Sequence, residues 1–238
     1  VHTDLAIEQI NTNEGSRIID DIKVTDISLD KKAGEEIGKR PGRYITIEFP
    51  DITDYDNSEK IKTVFSEELV NLLKVIKVKD ESTCLIIGLG NEKTTPDAVG
   101  PLTITKTIVT NHLYVYGQLE DGFRRVWALS PGVMGETGIE TSDLIKSIVE
   151  AIKPDFVITV DALASSSIER VNKTIQMTDA GINPGSGVGN KRKEISKDTL
   201  GIPVIAIGVP TVVDAASIVS DTINYMYKNF AYTKENIN

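Results

Sequence analysis

The sequence predicts an α/β fold: a mostly parallel, twisted sheet flanked by helices, with a β-rich extension at the N-terminal end. Three observations carry this. Short runs of continuous Val, Ile and Leu, such as CLIIG (84–88) and FVITV (156–160), recur along the chain, as expected of strands covered on both faces. Between them lie segments whose apolar residues recur at helical spacing. The first fifty residues differ, being polar with β-branched alternation, which points to antiparallel pairing.

In order, IKVTDISL (22–29) and RYITIEFP (43–50) read as strands separated by a charged turn, DKKAGEEIGKRPG (30–42). DNSEKIKTVFSEELVNLLKVI (56–76) follows as a helix. Its residues Ile61, Val64, Phe65, Leu69, Leu72, Leu73 and Ile76 form one face, with Asn57 or Ser58 as the cap. The alternation then sets in. Strand TCLIIGLG (83–90) leads to a loop and a helix-like DAVGPLTITKTIVTNH (97–112). Strand RRVWALS (124–130) is followed by a loop and helix TSDLIKSIVEAIK (141–153). Strand DFVITVDA (155–162) precedes a Ser-rich turn, the strand-like RVNKTIQMTD (170–179) and a glycine loop, INPGSGVGNKRKE (182–194). Strand IPVIAIGVP (202–210) and helix DAASIVSDTINYMYKNF (214–230) close the chain. Strands alternating with amphipathic helices build one α/β domain over residues 1–238, with residues 1–50 packed on it as an extension.

Composition narrows the function classes. With 238 residues, 40% hydrophobic and 26% charged, the chain can bury one good core. No apolar run reaches membrane-spanning length. A single cysteine, Cys84, excludes an internal disulfide and CxxC chemistry. The net charge of −9 argues against non-specific binding to DNA or to an anionic membrane. The start at Val1 without Met reads as a processed or trimmed form.

In α/β sheets, ligands sit outside the carboxyl ends of the strands. Three loops leave those ends with chemistry in them: GLGNEKTTPDAVGP (88–101), VDALASSS (160–167) and GVPTVVD (208–214). Asp97 stands where a helix starts and could simply cap it. Asp161 closes a buried strand, where a carboxylate is costly unless it is paired or used. Two acids from neighbouring strand tops can converge on one cleft and share a proton, one acting as base toward water and the other as acid. The helix start favours ionised Asp97, which leaves Asp161 as the acid. Gly88, Gly90 and Asn91 shape the first loop, and their N–H groups could steady an oxyanion.

Other chemistries fit less well. GLGNEK has Lys93 where a dinucleotide fingerprint needs its third glycine, and GSGVGN is no P-loop. Ser165, Ser166 and Ser167 lack a nucleophile elbow. His2 and His112 are the only histidines, so neither a triad nor a zinc site is expected. Lys191, Arg192 and Lys193 form a basic patch that could face an acidic substrate.

Taken together, TDLAIE (3–8), GLGNEKTTPDAVGP, LSPGVMGETGIET (129–141), VDALASSS, IQMTDAGINPGSGVGN (175–190) and GIPVIAIGVPTVVDA (201–215) resemble the germination protease family of spore-forming Firmicutes. The resemblance covers nearly the whole chain. It implies a core like that of hydrogenase-maturation endopeptidases and an atypical aspartic endopeptidase that degrades small, acid-soluble spore proteins early in germination. It further implies a zymogen that sheds a short propeptide by self-processing, a homo-tetramer, residence in the cytoplasm of the spore core, and no cofactor. Neither nucleic acid nor a membrane is expected as a direct partner. The family's two essential acids fall on Asp97 and Asp161. His2 departs from the arginine expected before TDLA, and the chain looks short between the glycine loop and the last helix. Two rivals remain open: a metal-dependent maturation endopeptidase using Asp97, Asp161 and a histidine, and a non-catalytic ligand-binding module.

Overall fold

In a computed structural model, which describes residues 3–10, 15–185 and 192–235, eight strands form one sheet. They are β1 (Ser16–Ile19), β2 (Ile22–Leu29), β3 (Gly42–Glu48), β4 (Cys84–Gly88), β5 (Val126–Leu129), β6 (Phe156–Ser165), β7 (Thr174–Thr178) and β8 (Val204–Val213). The order across the sheet is β1-β2-β3-β7-β8-β6-β4-β5. The fold is α/β, but the sheet is mixed rather than mostly parallel. β8, β6, β4 and β5 run parallel. Every pairing from β1 through to β8 on the other side is antiparallel. The reason is loop length. β6 reaches β7 through residues 166–173, too short for the crossover that a parallel strand needs, so β7 enters reversed. β3 then adds to β7 with Ile45 opposite Met177. The N-terminal strands therefore continue the central sheet by hydrogen bonding and are not a layer laid upon it.

Helices occupy both faces. α3 (Tyr55–Val75) buries Ile61, Val64 and Leu72 against alternate residues of β2, β3, β6 and β8, including Ile45, Phe156 and Ile205. α7 (Thr141–Ile152) buries Ile145 and Val149 on the opposite face, against Leu85, Ile87 and Val157. Phe156, Ile158 and Val160 thus point toward α3, whereas Val157 and, by the same alternation, Asp161 point the other way. On that second face the N-terminal segment, including the short α1 (Ile7–Ile10), inserts Leu5 and Ile7 beside Leu163.

Several boundaries differ from the sequence expectation. The charged turn contains a helix, α2 (Lys31–Ile37), capped by Asp30 Oδ1 accepting from the Ala33 N–H at 2.8 Å and closed by Gly38 at φ 66°. Interior Gly34 hides this helix from a pattern search, yet a Cβ there would lie 2.6 Å from the Lys39 carbonyl oxygen. The cap of α3 is Asp54, not Asn57 or Ser58, and it accepts from the Asn57 N–H at 3.0 Å. The helix expected over 97–112 splits into α4 (Val99–Lys106) and α5 (Asn111–Val115). Thr110 breaks it by donating to the Arg124 carbonyl (2.6 Å) and accepting from the Val126 N–H (2.9 Å). After β5 comes α6 (Met134–Thr137), and α8 (Lys197–Leu200) precedes β8. The final helix, α9 (Ala215–Glu235), leaves Val219, Tyr225 and Tyr227 exposed.

Candidate active site

Glycines bring the two acids together. A Cβ on Gly88 would sit 2.2 Å from the Gly100 carbonyl oxygen. One on Gly100 would sit 2.1 Å from the Leu89 oxygen and 2.5 Å from the Val160 oxygen. Only hydrogen side chains let the end of β4, the start of α4 and β6 approach backbone to backbone. The Leu89 N–H seals the contact by donating to the Val160 carbonyl at 2.8 Å. Asp97 lies just before this contact on one chain segment and Asp161 just after it on the other.

The loop holding Asp97 folds back on itself. Gly90 takes φ 110°, and a Cβ there would meet the Asp97 carbonyl oxygen at 2.1 Å. The Asn91 N–H donates to that same oxygen at 3.0 Å. Thr211 Oγ1 on β8 ties the turn down through the Pro96 carbonyl at 2.5 Å. Asp97 ends a 3₁₀ turn, Thr95–Asp97, and the N-cap position of α4 belongs to Ala98, which makes no side-chain cap bond. The Asp97 carboxylate is therefore not consumed in capping α4. Burial raises its pKa above the ordinary value, while the Asn91 N–H and the Arg192 guanidinium oppose the rise.

Asp161 does not close its strand. β6 runs on to Ser165, pairing with β8 through an irregularity at Leu163/Ala164. Asp161 is 5% exposed, and its Oδ1 accepts from the Ala162 N–H at 2.9 Å. Burial pushes its pKa up to about 8, and the charges of Asp97 and Asp4 push the same way. At neutral pH the favoured state is a protonated Asp161 beside an ionised Asp97. A cavity of about 280 Å³ is lined by both acids and by Arg192. A second, of about 340 Å³, lies on the Lys39, Arg40 and Gln176 side of Asp161. Asp4 and Leu163 border both.

The N-terminal segment runs along this cleft. The Asp4 N–H donates to the Ala164 carbonyl (2.9 Å), and the Ala164 N–H donates to Asp4 Oδ2 (2.8 Å). Gln176 clamps the segment by accepting from the Ala6 N–H and donating to the Asp4 carbonyl. Glu8, with a side chain 2% exposed, accepts from Ser165 Oγ and from both the N–H and Oγ of Ser166, and pairs with Arg170. Burial raises its pKa, but the hydrogen bonds from Thr3, Ser166 and Ser165 outweigh that and leave it lowered.

The structure brings together Asp97, Asp161, Gly90 and Arg192 of the residues singled out in the sequence. Ser165 is fully buried, its hydroxyl spent on Glu8, and it faces neither cavity. Gly88 serves the backbone contact, and the Asn91 N–H is already engaged by the Asp97 carbonyl. Lys191 lies outside the described residues. Asp4 and Lys39 are the site residues that the sequence did not yield. The Lys39 ammonium, its pKa lowered by burial against the pull of Asp4 and Glu8, donates to the Thr3 carbonyl at 3.0 Å. Their one signal was an acid and a lysine in polar segments, which are common on any surface. Among the described residues no cluster of three His, Cys, Asp or Glu could hold a metal ion. His112 sits exposed on α5, away from both cavities.

Comparison with known proteins adds the decisive observation: residues 2–238 match the germination protease family. The chain belongs to that family. It is 55% identical over 218 residues to the germination protease of Geobacillus sp. (strain WCH70), covering 90% of this chain and 59% of that protein. It is 55% identical over 213 residues to that of Bacillus cereus (strain AH187), covering 88% and 58%. To the germination protease of Bacillus cytotoxicus it is 52% identical over a 248-residue alignment, covering 97% and 68%. The chain thus spans about three fifths of the length of the first two relatives. Among the described residues no helix is long and apolar enough to cross a membrane.

Proposed function

We propose that this germination-protease-family chain is an endopeptidase of an atypical aspartic type that degrades small, acid-soluble spore proteins during germination. The observation that supports it most is the pairing of a buried Asp161, favoured as the neutral acid, with a half-buried Asp97 on the same cavity. Asp97, whose pKa burial raises against the opposing pull of the Asn91 N–H and Arg192, is the ionised partner of the neutral Asp161 and takes a proton from water as that water attacks the scissile carbonyl. Asp161 donates its proton to the carbonyl oxygen or to the leaving nitrogen. The two then exchange roles for the next turnover through one shared proton. Gly90 keeps the Asp97 loop close to the reacting centre.

The finer parts of the proposal rest on family membership and on the cleft. Extension of Thr3–Glu8 along β6, bordering both cavities, supports a zymogen that processes its own N-terminal segment. The family also supports a homo-tetramer working in the cytoplasm of the spore core. Its substrates coat DNA, which the enzyme itself need not bind, and the net charge of −9 suits that division of labour.

The test is cleavage of a purified small, acid-soluble spore protein by the wild type, Asp97→Asn and Asp161→Asn, with and without EDTA, each variant checked for folding by thermal melt. The wild type should cut in EDTA and both folded variants should lose activity by at least 10³-fold. If the folded variants cut as fast as the wild type, the aspartate pair is not the catalytic centre.

A further inference from the structure

Past Val160, where the pairing of β6 with β4 ends, β6 is met by the N-terminal segment at Ala164. The Asp4 N–H donates to the Ala164 carbonyl and Asp4 Oδ2 accepts from the Ala164 N–H, at 2.9 and 2.8 Å. Of the described residues, Asp4 is the one acid besides Asp161 that borders both cavities. It stands half-buried in the wall between them, with Leu5 and Ala6 fully buried behind it. The segment is tied on both sides of the Asp4 side chain. Lys39 Nζ donates to the Thr3 carbonyl at 3.0 Å, and Gln176 Nε2 donates to the Asp4 carbonyl at 3.2 Å. Lys39 is itself set by the end of α2, where its N–H donates to the Gly34 carbonyl at 2.9 Å. A carboxylate fixed at so many points keeps its place relative to Asp161 without further ordering.

The charges around the two acids are lopsided. In the cavity that holds the pair, Asp97 comes from the turn before α4, Asp4 from the N-terminal segment and Arg192 from the segment before β8. Lys39, Arg40 and Tyr44 line the other side of Asp161. Arg40 is engaged by Glu194 and Asp198, and the Tyr44 hydroxyl donates to the Arg40 carbonyl at 2.8 Å. Lys39 bears on Asp4 and Glu8 as their opposite charge. Arg192 bears on Asp97 as an opposite charge, whereas Asp4 bears on Asp161 as a like charge. A like charge favours the neutral form of its neighbour and an opposite charge the ionised form. Two acids that share one proton are therefore biased in opposite senses by groups outside the pair. Asp97 loses its charge when it takes a proton from water, but Asp4 takes no part in that transfer, so its charge is constant through the cycle.

We propose that Asp4 is a positioning residue of the peptidase proposed above and decides which acid of the pair begins each turnover protonated: fixed in the wall beside Asp161, its charge keeps the shared proton there. This rests on the aspartate-pair reading and assigns the two roles within it. The N-terminal segment is then a component of the site, supplying a charge to it, and not packing alone.

The experiment follows the Asp161 proton and peptide cleavage in the same proteins. Carboxyl carbon-13 NMR of aspartate-labelled wild type, Asp4→Asn and Asp4→Glu reads the Asp161 titration, with Asp161→Asn identifying its signal. The midpoint should fall by about one pH unit in Asp4→Asn and return in Asp4→Glu. Asn keeps an acceptor for the Ala164 N–H, so it removes the charge and leaves the strap. Asp4→Ala removes both and should show the same lowered midpoint together with a lower Tm. On a small, acid-soluble spore protein the alkaline limb of kcat/KM should move to lower pH with the midpoint. The loss in Asp4→Asn should thus reach about 10-fold above pH 8 and shrink toward pH 6. A loss equal at every pH, with the Asp161 midpoint unmoved, would overturn the proposal and leave Asp4 as a strap on Ala164. The NMR separates the two readings. A midpoint that moves with the Asp4 charge upholds the placing of the proton even where Asp161→Asn still cleaves and the aspartate pair fails. An unmoved midpoint refutes it even where the pair stands.

Discussion

Replacing Asp161 by Asn should flatten the dependence of stability on pH. The wild-type carboxyl is raised by burial from an ordinary value of 3.8 to about 8, with Asp97 and Asp4 adding to the rise. The native state therefore binds more protons than the unfolded state between about pH 4 and pH 8. Unfolding free energy falls as pH rises through that window. The slope from one such group approaches about 1.4 kcal/mol per pH unit. Across about four units the sum has a ceiling of roughly 5 kcal/mol, which water entering beside the ionised group reduces. Even half of that is a large part of a domain's usual ~5–15 kcal/mol. Asn keeps the shape and the acceptor oxygen for the Ala162 N–H but does not titrate. Urea unfolding at intervals from pH 5 to pH 9 should show wild type and Asp161→Asn converging at the acid end. The wild type should lose stability faster toward pH 8, with the m-value unchanged. Titrating groups away from Asp161 cancel in the comparison because both proteins carry them, whereas Asp97 and Asp4, which push on Asp161, do not. Parallel curves would mean that Asp161 ionises freely in the fold, and its role as the neutral acid would go with them.

Gly90→Ala should lower stability by about 2 kcal/mol, from strain at φ 110° and the contact with the Asp97 carbonyl. Its activity should fall by roughly 10²-fold, since an ångström of displacement of Asp97 suffices for that; paired melts and cleavage rates check both. Glu8→Gln should cost about 1–3 kcal/mol at pH 7 by removing the charge that pairs with Arg170 and turning one of the two oxygens that accept from Ser165 and Ser166 into a donor. Because the Glu8 pKa is lowered, the wild type should lose this advantage as pH falls below the ordinary value of 4.5, and denaturation at pH 3 and pH 7 measures it. Cys84 is 2% exposed and burial pushes its thiol up to about 12. It should resist a thiol reagent in the native protein and react on unfolding in urea.

Much of this arrangement was legible in the residues. Continuous Val/Ile/Leu runs mark β4, β6 and β8, and the loops leaving their carboxyl ends point to Asp97 and Asp161. Asp161 was nevertheless misplaced within its strand, because ALAS (162–165) has small side chains that read as a turn but pair with β8. The reversal of β7 escaped because apolar pattern reports burial and not direction. Asp4 and Lys39 escaped because their place in the site comes from β3, β6 and β7 meeting across long stretches of sequence. No local pattern encodes such a meeting. Ser165 looked available for the same reason: its partner, Glu8, lies 157 residues away.

The join between the two halves of the sheet bears on how the polypeptide is made. β3 ends at Glu48, but the strand it pairs with on its inner side begins at Thr174. During synthesis the first three strands emerge with one edge open and wait for just over half of this chain before it can close. A ribosome that stalls before Thr178 leaves that edge, with Tyr44, Ile45 and Ile47, available to neighbouring nascent chains. Completion of the cleft follows the same clock. Asp97 and Asp161 can meet early through β4 and β6. Gln176, which clamps the N-terminal segment across them, arrives only with β7. The aspartate pair is therefore assembled before its cleft is walled, and a late-closing sheet sets the order.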